Sequence, residues 1–243
     1  MVDLAPLLTD LADESAELDA LVAPLTDAQW ARPTPAEGWT IAHQIAHLAW
    51  TDHATLLAAT DPDGFAAQLE ALADDPLGFV DRGADEFLAP PAELLSGWRA
   101  GRAALAKALA EVPLGVKLPW YGPPMSPPTM ATARIMETWA HADDVAAALG
   151  VRRQPTDRLR HIAHLGVRTL ANGFLIRGLD APATPVRVEL TAPSGALWTF
   201  GPEDAADRVV GPAVDFCLLV TRRRHRADLA LQAKGPIADR WLD

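Results

Sequence analysis

The chain has 243 residues with 21 lysines and arginines against 32 aspartates and glutamates, a net charge of −11, and 49% hydrophobic residues. This is globular composition, which excludes a disordered chain, and the acidity argues against a nucleic-acid-binding surface as the main business. A single cysteine, Cys217, excludes a disulfide framework and a cysteine-ligated zinc ribbon. The start, MVDLAPLLTDLADE, has no basic stretch ahead of an apolar core, and the longest apolar runs are far shorter than a membrane span. The expected address is the cytoplasm, with no membrane partner and no nucleic acid.

The first helix is marked by Leu4, Leu7, Leu8, Leu11, Leu18 and Leu21, which follow the helical period with acids between them. ARPTPAEGW (31–39) is a loop, and Thr40 is placed to cap a second helix over roughly 41–59. A looser acidic stretch, 61–90, has room for a short helix. The Pro90–Pro91 pair starts a third helix, since proline suits the first turn, and Leu94, Leu95, Trp98, Leu105 and Leu109 form its stripe. VPLGVKLPWYGPPMSPP (112–128) is too rich in proline for regular structure. Thr129 is expected to cap a fourth helix that ends at Leu149–Gly150. Four amphipathic helices make a four-helix bundle over 1–150 the economical reading.

Beyond Gly150 the pattern changes. Residues 1–150 hold 7 basic and 22 acidic side chains, a net −15, whereas 151–243 hold 14 and 10, a net +4. A helix is expected from Asp157 to about Phe174, then strands at 186–190, 197–200 and 208–210. A helix over 212–224, a strand over 227–233 and the start of a helix from Pro236 complete a small α+β domain, 151–243. The fold class is therefore α+β, with an all-helical N-terminal domain.

The stretch METWAHADDVAAALG (136–150) carries the chemistry. Glu137 and His141 are four residues apart, on one helix face, where a carboxylate and an imidazole can share one metal ion. The bland alternative is a solvated Glu–His pair. GWTIAHQIAHLAW (38–50) adds His43 and His47, again one turn apart. Ligands on facing helices of an antiparallel bundle project to a common point, and two histidines with one carboxylate leave a fourth position open, as in catalytic zinc sites. HQIAH has Gln44 where a metalloprotease motif has glutamate, so that reading fails.

In combination, GWT-x6-H-L, the loop motif PW-x-G-x-x-M and E-x3-H-x2-D resemble the DinB-like metal-binding bundle family, and within it the mycothiol-dependent maleylpyruvate isomerase group. The resemblance covers roughly residues 5–150 well and the second domain more weakly. It implies a divalent metal, usually taken as zinc, held by His47, Glu137 and His141, with Asp144 as the trailing aspartate. Many DinB-like bundles have a histidine as middle ligand, so Glu137 favours the thiol-dependent branch. It also implies a sterol-carrier-like second domain, a low-molecular-weight thiol of the mycothiol type as cofactor, and an electrophilic small molecule as substrate, with isomerisation and S-transfer both open; the rival reading is a non-enzymatic module in which the bundle holds metal and the second domain an apolar ligand. Cys217 lies in the apolar run DFCLLV and reads as core, so the thiol comes from outside.

Other residues carry two readings each. Trp120, Tyr121 and Met125 either line a pocket mouth or pin the proline-rich loop to the bundle. Trp39 and Trp139 read as packing residues. TRRRHR (221–226) is either an anion site or a solvated basic helix end. Where the family segment often reads Thr-Gly-Arg, this chain has Thr221-Arg222-Arg223, so Arg223 is the matching catalytic candidate and Arg222 stands in place of glycine. His161 and His164 read as structural or surface groups.

Overall fold

The computed structural model describes residues 3–72, 78–113 and 115–243. The chain divides into two compact units, Met1–Arg152 and Arg153–Asp243.

The first unit is a helical bundle built on α1 (Leu4–Val22), α3 (Ile41–Thr60), α6 (Pro91–Glu111) and α7 (Pro127–Leu149), with a short α2 (Asp27–Trp30) and the flanking α4 (Pro62–Leu72) and α5 (Phe79–Glu86). Helix α3 packs on α6, α7 and α5, while α1 packs on α7. Two apolar clusters fill the bundle. One joins Leu18, Ile41, Ile45, Leu94, Trp98 and Val145; the other joins Leu11, Ala58, Phe65, Leu105, Met130 and Ile135. The bundle also buries polar side chains. Arg102 Nε donates to Asp52 Oδ2 at 2.6 Å, and Arg102 Nη1 donates to Ser15 and Thr138, both at 3.0 Å. Burial pushes the Asp52 carboxyl up against the opposing pull of Arg102 and Arg134.

Local chemistry sets the helix ends. The backbone N–H of Thr40 donates to His43 Nδ1 at 3.2 Å, so His43 works as the cap partner of α3. Helix α7 starts at Pro127, ahead of the expected position, and its cap is Ser126: Ser126 Oγ accepts from the backbone N–H of Thr129. Pro127 and Pro128 have no N–H to lose in the first turn, which is why the helix can begin on them. The proline-rich segment before it is not wholly irregular, for Leu118 and Met125 pair through hydrogen bonds of 2.8 and 2.9 Å. At the other end Gly150 is left-handed, φ 69°, and closes α7 with the N–H groups of Gly150 and Val151 bonded to the carbonyls of Ala147 and Ala146.

The second unit has α8 (Leu159–Arg168), α9 (Leu170–Ile176), β1 (Val186–Thr191), β2 (Leu197–Phe200), β3 (Asp207–Pro212), α10 (Ala213–Val220), β4 (Gln232–Lys234) and α11 (Pro236–Leu242). The sheet order is β2-β1-β3-β4, with β1 and β3 parallel and the outer pairs antiparallel. Val186, Val188 and Leu190 alternate inward on β1, and α10 packs on β1, β3 and α8. The helix expected over 157–174 is broken at Thr169, whose hydroxyl donates back to the Leu165 carbonyl at 2.9 Å and bends the chain. The strand expected over 227–233 shrinks to Gln232–Lys234. His225 Nδ1 takes the Ala227 N–H and Asp215 Oδ2 takes the Ala230 N–H, so donors that would build a ladder are spent on side chains. Asp207 Oδ1 accepts from the N–H groups of Ile237 and Ala238 and anchors the first turn of α11. None of the described helices is long and apolar enough to cross a membrane.

Candidate metal centre

Helix α3 supplies His47 and helix α7 supplies Glu137 and His141. Each histidine is less than one tenth exposed. Glu137 Oε2 lies 3.2 Å from His47 Nε2 and 3.3 Å from His141 Nε2, and the imidazole rings are 4.5 Å apart. One donor atom from each residue falls within 4.8 Å of the others. His43 is not part of this group; its Nε2 faces Asp85 of α5 at 3.6 Å.

The hydrogen bonds around the triad fix which atoms point inward. Gln44 Nε2 donates to Thr34 Oγ1 at 2.8 Å, which orients its amide. Gln44 Oε1 then accepts from His141 Nδ1 at 2.5 Å. With its proton on Nδ1, neutral His141 presents a lone pair at Nε2, facing a carboxylate oxygen. Burial alone would raise the Glu137 carboxyl. Its close contacts with the His141 and His47 imidazoles and the nearby Arg134 guanidinium outweigh it and hold the carboxyl well below the usual range. His141 Nε2 and Glu137 Oε2 thus present electron-rich atoms to one point, and His47 Nε2 joins them when its proton sits on Nδ1. A single proton satisfies one of these contacts, a divalent cation all three. In a tetrahedral site with bonds near 2.05 Å, neighbouring donors are about 3.3 Å apart, which is the spacing of the carboxylate to both imidazoles. The donor set fits a divalent ion.

Aromatic side chains wall the triad. Trp39 lies over it, with ring centroids 5.3 Å from His47 and 6.1 Å from His141, and its indole N–H donates to Asp81 Oδ1 at 2.9 Å. Trp50 stands 5.7 Å from His47 and joins a cluster with Phe65, Phe79, Trp120 and Tyr121. Gly83 of α5 lets the Trp50 ring in: a Cβ there would sit 2.3 Å from it. Trp120 stacks on Phe65 at 5.9 Å and Tyr121 packs on Trp50, so these two residues pin the proline-rich loop to the bundle. Arg134 is 2% exposed, with its guanidinium 5.1 Å from the Trp120 ring. Asp144 and Trp139 are buried on α7.

The model of the family described as mycothiol maleylpyruvate isomerase N-terminal domain matches residues 11–146, more than half of the chain. The chain belongs to this family. The match to the mycothiol maleylpyruvate isomerase N-terminal domain takes in His47, Glu137 and His141 and ends before Arg223. Residues 182–234 match a second, shorter model, described as wyosine base formation. Uncharacterized proteins of two Mycobacterium tuberculosis strains, CDC 1551 / Oshkosh and ATCC 25618 / H37Rv, are each 57% identical over 243 residues, covering 100% of this chain and 95% of theirs. The crystal structure of the mycothiol-dependent maleylpyruvate isomerase superposes with a TM-score of 0.61 at 17% identity, covering 98% of this chain and 96% of that chain. A mutant of that enzyme gives 0.60. At this identity the likeness to the solved isomerase is one of fold.

Sequence reasoning missed Gln44, Trp39 and Arg134 as parts of this centre. Gln44 lies three residues before His47 and Arg134 three before Glu137, a spacing that shares a helix face and could have drawn attention to both. Cys217 is fully buried in the second unit and burial pushes its thiol far up, as expected of a core residue. Arg223 follows α10, half-buried, with Nη1 donating to the Thr221 carbonyl at 2.8 Å.

Proposed function

We propose that this protein is a metal-dependent enzyme that uses an external low-molecular-weight thiol of the mycothiol type on a small electrophilic substrate, as an isomerase or an S-transferase. The observation that carries the reading is the convergence of His47 Nε2, His141 Nε2 and Glu137 Oε2, with His141 oriented through Gln44 and Thr34. We assign these three residues to a divalent ion, with zinc as the ion best suited to two imidazoles, one carboxylate and an open position. The ion would supply the positive charge that keeps a thiol ionised at neutral pH. The family membership and the solved isomerase of the same fold support the choice of thiol.

The protein's own residues set the rest. Gln44 keeps the His141 proton on Nδ1. Trp39 and Trp50 shield the imidazoles from water. With Cys217 inert, the nucleophile is a separate molecule. To Arg223 we assign the orientation of a carboxylate on thiol or substrate. As an isomerase, the enzyme would let the thiolate sulfur add to one carbon of a conjugated double bond, with the electron pair moving onto the carbonyl. Rotation about the new single bond and expulsion of the same thiolate would return the trans isomer with no net oxidation. As a transferase, it would retain the new carbon–sulfur bond. Both readings place the protein in the cytoplasm, with its thiol.

The second family match raises a different reading, a role in tRNA base modification. The net −15 of residues 1–150 opposes it, because a polyanion must then be bound against that field. The test of the proposal is the metal content of tag-free protein beside His47→Ala, Glu137→Ala and His141→Ala. Near one equivalent of metal in the wild type, lost in each variant, is the expected result. A folded, metal-free wild type that cannot be reloaded contradicts it.

A further inference from the structure

Among the described residues of the bundle, two guanidinium groups are buried, Arg102 at 7% exposure and Arg134 at 2%. They are held in opposite ways. Arg102 spends Nε and Nη1 on Asp52, Ser15 and Thr138. Arg134 Nε and Nη1 are buried with no hydrogen-bond partner among the described residues. Its guanidinium lies over the Trp120 ring, 5.1 Å from the centroid. Burial lowers the Arg134 pKa; the charges of Glu137 and Asp52 oppose that fall and Arg102 adds to it. An arginine stays protonated through such shifts. A full positive charge therefore sits inside the bundle, held by electrostatics and one aromatic face rather than by directed bonds.

That charge is placed beside the candidate metal centre. Arg134, Glu137 and His141 follow the three-four spacing that lines one face of α7. Arg134 stands one turn before Glu137, as His141 stands one turn after it. Of the two carboxylates that attract Arg134, Asp52 is already bonded to Arg102, and Glu137 exerts the stronger pull. Arg134 acts on Glu137 by charge and not through a hydrogen bond, so it does not aim the carboxylate. Bulk water is not there to screen it. A guanidinium so placed has two effects on a divalent ion held by Glu137. It repels the ion, which weakens binding, and it draws electron density from the carboxylate, which makes the ion more acidic toward what it binds.

We propose that Arg134 is a positioning residue of the metal centre that acts by charge, holding ion affinity down and in return keeping a thiol bound at the ion ionised to lower pH. The inference rests on the assignment of His47, Glu137 and His141 to a divalent ion. It gives Arg134 a role distinct from that of Gln44, which orients His141 through a hydrogen bond.

The test is cobalt(II) titration of the tag-free, full-length protein against a competing chelator, read from the visible bands. The wild type is compared with Arg134→Met, Arg134→Gln and Arg134→Lys, with circular dichroism reporting whether each is folded. Loss of a group that supports a metal ligand by geometry weakens the ion by about 10- to 100-fold. Loss of a repelling charge does the reverse. Arg134→Met and Arg134→Gln should bind cobalt about 10- to 100-fold more tightly, with band positions unchanged, and Arg134→Lys should stay within about threefold of the wild type. With cobalt saturating and mycothiol added, the pH at which the sulfur-to-cobalt band is half developed should rise by about one unit in the two neutral variants. Cobalt bound equally or more weakly by the neutral variants that fold overturns the inference while the metal centre stands. Unfolding of both neutral variants also overturns it, because the charge then serves the fold. A wild type that takes up no cobalt contradicts the metal centre and the inference together.

Discussion

Helices α7 and α10 end with the same two backbone hydrogen bonds and differ in the residue that turns the chain. Gly150 closes α7 at φ 69° and Arg222 closes α10 at φ 60°. The first follows the conformational preference of glycine and serves only to stop a helix. The second goes against preference, at a residue that lines a cavity. The two units use arginine in correspondingly different ways. In the bundle, Arg102 and Arg134 lie inside, and Arg102 is held by Asp52, Ser15 and Thr138. In the second unit, arginines gather around an opening. A cation inside the bundle is part of the fold; a cation at the α10 end is carried at the expense of the fold.

The sharpest way to break that contrast is to remove one guanidinium from each unit. Arg102→Ala should destabilise the protein by about 3–5 kcal/mol, because it leaves the fully buried Asp52 carboxylate without its partner. The double change Arg102→Met with Asp52→Leu should recover most of that loss, since no charge is then stranded. Chemical denaturation of the single and double variants reads both outcomes. Arg222→Gly should move stability the other way and by less, raising the thermal midpoint by about 2–4 °C because glycine relieves the left-handed strain. Equal destabilisation by the two single variants would erase the distinction between the units.

The smallest expected effect concerns the loop pinned against the bundle. Tyr121 is the chain's one tyrosine, so phenolate absorbance reports it alone. Burial among aromatic rings raises its pKa to about 12, against a weaker opposing pull from Arg134. The folded protein should therefore show no phenolate at pH 10, where an unfolded chain is half ionised. Because the unfolded state loses its proton first, stability should be unaffected by this group below about pH 10 and should fall as pH rises toward 12. A native titration near pH 10 would mean that the loop stands away from Trp50 and Phe65.

Much of the bundle is legible in the sequence because local signals agree with the packing. Thr40, Pro91, Gly150 and the leucine stripes each mark a helix boundary or a buried face by ordinary chemistry, and the Glu137–His141 spacing places two donors on one face. Signals fail where a distant side chain intervenes. Ser126 rather than Thr129 caps α7 because two prolines tolerate the first turn. Alternation over 227–233 suggests a strand, yet His225 and Asp215 capture its backbone donors. Gln44 reads only as a missing glutamate until the fold brings it within 2.5 Å of His141, 97 residues away. Trp39 reads as packing, and it does pack, but against the imidazoles. Arg222 is visible as a departure from glycine; its left-handed backbone and the cavity beside it are not.

The central claim is that His47, Glu137 and His141 hold an ion at which an external thiol binds. The most direct measurement is the visible spectrum of protein loaded with cobalt(II), before and after adding mycothiol. The account predicts tetrahedral cobalt bands that are absent from Glu137→Ala, and a new sulfur-to-cobalt charge-transfer band on adding the thiol, with Cys217→Ser giving the same result. Bound cobalt whose spectrum ignores the thiol would contradict it.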